Sequence, residues 1–185
     1  MSFGVPDYIF QEYSMVTPEF LKSLGVKIVI CDIDNTIAPY EVPVPDKKIA
    51  AWFSSMKNAG IRFVFVTNNN SERADLFNQT LGLTVYANAK KPLTIALKKA
   101  LADAGLTYKD GATLGDQIFT DVLAGQFSKM KTILVPPIKD KTNLFFRSKR
   151  VLERPFIAAY FKKHPDDQLK AYWNLKTRNL KENQR

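Results

Sequence analysis

The sequence predicts an α/β protein built on a doubly wound, Rossmann-like sheet of five parallel strands flanked by helices, with no large cap domain. Three observations carry that expectation. Short apolar runs alternate five times with segments whose apolar residues recur at helical spacing, the pattern of repeated strand–helix units with right-handed crossovers. The stretch Lys27 to Thr36, K-I-V-I-C-D-I-D-N-T, opens with Ile28, Val29, Ile30 and Cys31, a continuous apolar run of the kind that forms a strand buried on both faces. The chain has 185 residues and is 45% hydrophobic, enough for one ordinary domain with a sizeable core.

Residues 1–26 read as a lead-in packed on the sheet, in which Thr17 caps a short helix, Pro18 fits its first position and Gly25 its end. Residues 27–137 form the expected core. After the first strand, three prolines between Pro39 and Pro45 forbid a helix and make a stiff loop over the end of that strand. Ile49, Trp52, Phe53 and Met56 then recur at helical spacing from Asp46, and Gly60 ends the helix. Ile61 to Thr67 is the second strand, followed by a helix through Leu76, Phe77 and Leu81. Leu83 to Tyr86 is the third, and Pro92 suits the first turn of the helix after it. Ala112 to Gly115 is the fourth strand, with a helix from about Ile118 to Ser128. Lys131 to Val135 is the fifth, closed by Pro136-Pro137. Residues 138–185 change character, becoming basic and aromatic without strand signals, and Pro155 favours two short helices there over one.

Composition narrows the function classes. Cys31 is the only cysteine, so a disulfide framework and a cysteine-based zinc site are excluded within one chain. No apolar run approaches the ~20 residues of a membrane span, and the N-terminus lacks a signal-peptide pattern. A cytoplasmic protein is expected. The net charge is +9, most of the excess falling after Pro137, which points to an anionic partner for the C-terminal part, either a membrane surface or nucleic acid.

In a parallel sheet the ligand crevice lies at the carboxyl ends of the strands. There the first strand offers Asp32 and Asp34, the second Thr67 and Asn68, the helix after the third Lys90 and Lys91, and the fourth Asp116 with Asp121 one turn on. Asp32 and Asp34, two apart, point the same way if the strand continues. Anions so close repel unless a cation or a shared proton intervenes, and a hard divalent ion such as Mg²⁺ suits oxygen ligands better than zinc does. The only histidine, His164, lies far from this set and no Gly-rich Walker loop is present. Carboxylates, a metal and one lysine suit a doubly charged phosphoryl group.

These motifs resemble the haloacid-dehalogenase-like phosphatases. Asp32-Ile33-Asp34-Asn35-Thr36 matches their D-x-D-x-T signature, Val64 to Asn68 their second motif, Lys91-Pro92 the third, and Gly115-Asp116-Gln117 through Thr120-Asp121 the fourth. The lack of room for a cap resembles the capless subfamily IIIA. The lead-in Thr17 to Leu21 and the basic tail resemble its YqeG-like branch, which is similar to mitochondrial phosphatidylglycerophosphate phosphatases. The resemblance implies that Asp32 is a nucleophile forming an aspartyl-phosphate and Asp34 the general acid and base. It implies that Thr67, Asn68 and Lys91 hold the phosphoryl oxygens, Lys91 being preferred to Lys90 because it precedes Pro92. It further implies that Asp32, the Asp34 carbonyl, Asp116 and Asp121 ligate Mg²⁺.

A capless site accepts a phosphate on something large. The expected substrate is a phosphomonoester, with phosphatidylglycerophosphate and its phospholipid head group as one candidate. The basic, aromatic tail suits peripheral contact with the inner face of an anionic membrane. The same residues can instead pack Phe145, Phe146, Leu152, Phe156 and Tyr160 on the core, leaving the bases solvated. The competing reading is a nucleic-acid- or ribosome-binding module that keeps the fold for its basic surface. A phospho-acceptor domain of the receiver type is disfavoured, because no acid follows the third strand between Tyr86 and Ala89.

Overall fold

The computed structural model describes residues 2–139 and 144–165 together with Leu169 and Trp173. Its framework is a parallel sheet of β1 (Tyr8–Ile9), β2 (Ile28–Cys31), β3 (Arg62–Val66), β4 (Thr84–Tyr86), β5 (Gly111–Gly115) and β6 (Lys131–Leu134), in the order β1-β6-β5-β2-β3-β4. Helices α1 (Pro18–Ser23), α2 (Lys47–Asn58), α3 (Ser71–Asn78), α4 (Ile95–Asp103), α5 (Leu123–Phe127) and α6 (Leu144–Lys163) accompany it. Strand β2 is central, buried at every position, and Cys31 pairs with Phe65 of β3 on one side and Leu114 of β5 on the other. That register brings the residues just past Cys31, Val66 and Gly115 to one edge.

Local chemistry sets the helix starts. Thr17 Oγ1 accepts from Phe20 N and Pro18 opens α1; Asp46 Oδ1 accepts from Ile49 N at the head of α2; Asn70 Oδ1 accepts from Arg73 N at the head of α3. The four apolar residues read at helical spacing in α2 are all buried. Trp52 donates its indole N–H to the Val16 carbonyl at 3.0 Å and sits edge-on to Tyr13, Phe53 and Phe63, so it is core. Gly60, which ends α2, has φ +81°, a conformation that costs a side chain strain.

The fold departs from expectation at three places. The sheet has six strands, because Tyr8–Ile9 pairs with Ile133 and Leu134 of β6; a two-residue strand carries no readable periodicity. Pro92 does not open α4, which begins at Ile95 after Thr94; the Lys91–Pro92 segment is a separate turn and its peptide bond is cis. In the C-terminal extension α6 runs unbroken through Pro155, in place of the two short helices expected there. An interior proline costs a helix about 3 kcal/mol, and here both halves are anchored. Phe156, Tyr160 and Phe161 pack with Val5, Ile9, Ile118, Val122 and Leu134, while Glu153 is 2% exposed. Of the tail residues read as core-packing, Phe156 and Tyr160 face the core and Leu152 is 61% exposed; the side chains of Phe145 and Phe146 lie outside the described ones.

Candidate active site

At the carboxyl edge of the sheet a cavity of about 310 Å³ is lined by Asp32, Asp34, Asn35, Tyr40, Thr67, Asn68, Asn69, Lys91, Gln117, Thr120 and Lys149. Asp121 touches a smaller space reached by Asp32 and Lys91 beneath it. A roomier cavity of about 630 Å³ runs along β3 and β4 and contains none of the candidate site residues Asp32, Asp34, Thr67, Asn68, Lys91, Asp116 and Asp121.

β2 stops at Cys31, so Asp32 and Asp34 are in the loop beyond it. Asn35 takes a positive φ of 62° and its N–H donates to the Ala38 carbonyl at 2.7 Å, turning the chain back over the strand end. Both carboxylates still line the cavity, one at its floor and one at its mouth.

The floor is buried and acidic. Lys91 Nζ lies 2.7 Å from Asp32 Oδ1 and 2.6 Å from Asp121 Oδ1, all three side chains nearly inaccessible. Oxygens of Asp32, Asp116 and Asp121 fall within 4.8 Å of one another. Asp121 is fixed further: its Oδ2 accepts from Gln117 N at 3.1 Å and from Thr120 Oγ1 at 3.2 Å. Its carboxyl fills the space where a Cβ at Gly115 would stand, which is why glycine ends β5. Asp116 accepts from Thr36 Oγ1 at 3.4 Å. Burial pushes the Asp32 carboxyl well above the ordinary carboxylate range; Lys91 opposes this, and Asp121 and Asp116 add to it. Burial pushes Asp116 up to about 6, against Arg150. Burial also works against the Lys91 charge, but Asp121 and Asp32 outweigh it and hold the ammonium above its usual value. Three clustered carboxylates against two cations, Lys91 and Arg150, remain short of positive charge, and an all-oxygen donor set fits a hard divalent cation.

Three successive asparagines after β3 do three different jobs. Asn68 grips the main chain of Lys91, accepting from its N–H at 2.6 Å and donating to its carbonyl at 3.1 Å. Asn69 donates to Asp34 Oδ2 at 3.0 Å. Asn70 caps α3. Thr67 is buried and its hydroxyl accepts from Asn69 N at 3.1 Å. The structure therefore brings Asp32, Asp34, Thr67, Asn68, Lys91, Asp116 and Asp121 together. The Asn68 amide is engaged at both its atoms with the Lys91 backbone.

Four residues of the site escaped the sequence reading. Arg73, on α3, donates Nε to Asp34 Oδ1 at 3.2 Å and reaches the Pro39 and Pro43 carbonyls, tying the proline-rich loop down. Asn69 is the second partner of Asp34. From α6, Arg150 pairs with Asp116 and Glu153 accepts from Ile118 N at 2.7 Å. A lone acid among Lys149, Arg150 and Arg154 was the readable sign of a buried pair.

A parallel sheet carrying carboxylates around one lysine at its carboxyl edge, in this motif order, defines the haloacid-dehalogenase-like class. No family model matches the chain. It is 35% identical over 161 residues to the probable phosphatase YqeG of Bacillus subtilis, covering 87% of this chain and 94% of that protein. The chain belongs to the YqeG family of haloacid-dehalogenase-like phosphatases. Among solved structures, the fold is shared with the cobalt-bound deoxy-D-mannose-octulosonate 8-phosphate phosphatase of Haemophilus influenzae (TM-score 0.51, 14% identity, 82% of this chain and 99% of that one). It is shared equally with an uncharacterized Listeria monocytogenes protein (TM-score 0.51, 14% identity, 64% of this chain and 85% of that one).

Proposed function

We propose that the chain hydrolyses phosphomonoesters with Mg²⁺ through an aspartyl-phosphate on Asp32. The observation that carries this reading is the buried floor, where Asp32, Asp116 and Asp121 converge beside Lys91 under a cavity that Asp34 also lines. Asp32, Asp116 and Asp121 would hold the cation, which when bound supplies the positive charge that lets a phosphoryl dianion approach a carboxylate.

Lys91 grips Asp32 Oδ1 and leaves Oδ2 as the attacking atom. Its ammonium and the Thr67 hydroxyl then receive the phosphoryl oxygens as charge moves onto them. Asp34, held by Arg73 and Asn69 at the mouth, gives its proton to the leaving oxygen and takes one from the attacking water. Such help is worth ~10²–10⁴-fold. Asn68 keeps Lys91 in place.

The substrate proposed is phosphatidylglycerophosphate at the inner face of the membrane. Val151 and Leu152 stand 53% and 61% exposed on α6 beside exposed Arg154, a mixture that an anionic bilayer surface takes up. None of the described helices is long and apolar enough to cross a membrane. The test is phosphate release by the purified protein with and without Mg²⁺, on a nitrophenyl ester and on phosphatidylglycerophosphate in mixed micelles, beside Asp32→Asn. Metal-dependent turnover lost by ~10⁴-fold or more in the variant, with preference for the lipid, is expected. Turnover surviving in Asp32→Asn would overturn the nucleophile. Preference for the soluble ester would overturn the lipid.

A further inference from the structure

We propose that the C-terminal helix completes the active site, with Arg150, braced by Glu153, as a positioning residue for Asp116 and the turn after it. Arg150 Nη1 donates to the Asp116 carbonyl at 2.6 Å and Nη2 pairs with Asp116 Oδ2, so one planar fork holds both the main chain and the side chain of that residue. The same Nη1 lies 2.8 Å from Glu153 Oε2. Glu153 in turn accepts the Ile118 N–H at 2.7 Å through its other oxygen. The two side chains thus grip both sides of Gln117 through contacts that span 34 and 35 residues of sequence, and Lys149 Nζ reaches Gln117 Oε1 at 3.4 Å.

This turn links Asp116 to Asp121, two of the three acids in the floor cluster. Fixing it fixes their separation. Partners that orient a metal ligand from behind typically matter 10–100-fold in affinity. Part of the basic excess that reads as a partner-binding tail therefore turns inward, and the α/β core alone, though it carries every motif residue, holds Asp116 without its fork.

The inference rests on Asp116 being a cation-holding residue. The experiment titrates Mg²⁺ into the full-length protein and reads the dissociation constant by calorimetry, for wild type, Arg150→Met, Arg150→Lys and the exposed control Arg154→Ala. Arg150→Met is expected to weaken Mg²⁺ binding about 10–100-fold, Arg150→Lys less, and Arg154→Ala not at all. Saturating Mg²⁺ should then recover turnover of a nitrophenyl ester with KM unchanged, and methylguanidinium should restore part of the affinity to Arg150→Ala. A residue that merely props the fold would show neither recovery. Should Arg150→Met fail to fold, Arg150→Lys carries the test with the same sign. Unchanged or tighter binding in the Arg150 variants would overturn the inference alone. A wild-type protein that binds no divalent cation would overturn the reading of the site beneath it.

Discussion

The two carboxylates of the D-x-D motif are two residues apart in the chain yet live in opposite settings. Asp32 is at the floor, nearly inaccessible, and paired with the equally buried Lys91. Asp34 is at the mouth, more exposed, held by an arginine on one oxygen and an amide on the other. The floor is short of positive charge and the mouth is already paired. The difference teaches that identical residue types take different settings from their surroundings; under the proposed mechanism the floor would receive a cation and a phosphoryl group, and the mouth would orient one carboxyl toward the leaving group.

Substitutions at the two Asp partners should separate these settings. Lys91→Met leaves buried carboxylates unpaired and is expected to cost about 3 kcal/mol of stability as well as activity. Arg73→Met, at the more open site, should cost about 1–2 kcal/mol. Urea denaturation of the metal-free proteins measures both; equal losses would erase the contrast between floor and mouth.

The next effect concerns chemistry at the mouth. Arg73→Met frees the Asp34 carboxyl and loosens the proline-rich loop, so turnover of an alkyl phosphate should fall by ~10-fold or more, part of the ~10²–10⁴-fold that acid–base help is worth in full. Turnover of a nitrophenyl ester, whose leaving group needs no proton, should fall less. Equal losses in kcat on the two substrates would remove Asp34 from the proton transfer.

The smallest effect is one of pH. Burial raises Asp116 from 3.8 to about 6, so the folded metal-free protein binds that proton more tightly than the unfolded chain does. Its stability is greatest below the unfolded value and declines as pH rises through about 4 to 6. A divalent cation replaces the proton. The gain in melting temperature on adding Mg²⁺ should therefore be larger at about pH 7.5 than at about pH 5. A gain independent of pH would mean that the cation binds away from these acids.

Much of this was legible in the chain. Asp32, Asp34, Thr67, Asn68, Lys91 and Asp116 lie just beyond a strand or in the turn before a helix, with Asp121 in the helical turn that follows Asp116, and hydrophobic patterning located those strand ends. Arg73 and Arg150 were not legible, because an arginine in the first turn of a helix or in a basic tract looks solvated until the partner element is placed. Asp116 and Arg150 meet only because α6 packs against β1, β6 and the turn after β5. Nor did the sequence show that α6 continues through Pro155, since the packing of Phe156 and Tyr160 that compensates the break is a tertiary contact.

The most direct measurement is chemical trapping of the intermediate. Enzyme quenched in acid during turnover would be reduced with borohydride, which converts an aspartyl-phosphate to homoserine, and the peptides mapped by mass spectrometry. Homoserine at position 32, dependent on substrate and Mg²⁺ and missing in Asp32→Asn, is the expected result. Active enzyme yielding no reduced residue, or one at Asp34 instead, would contradict the account.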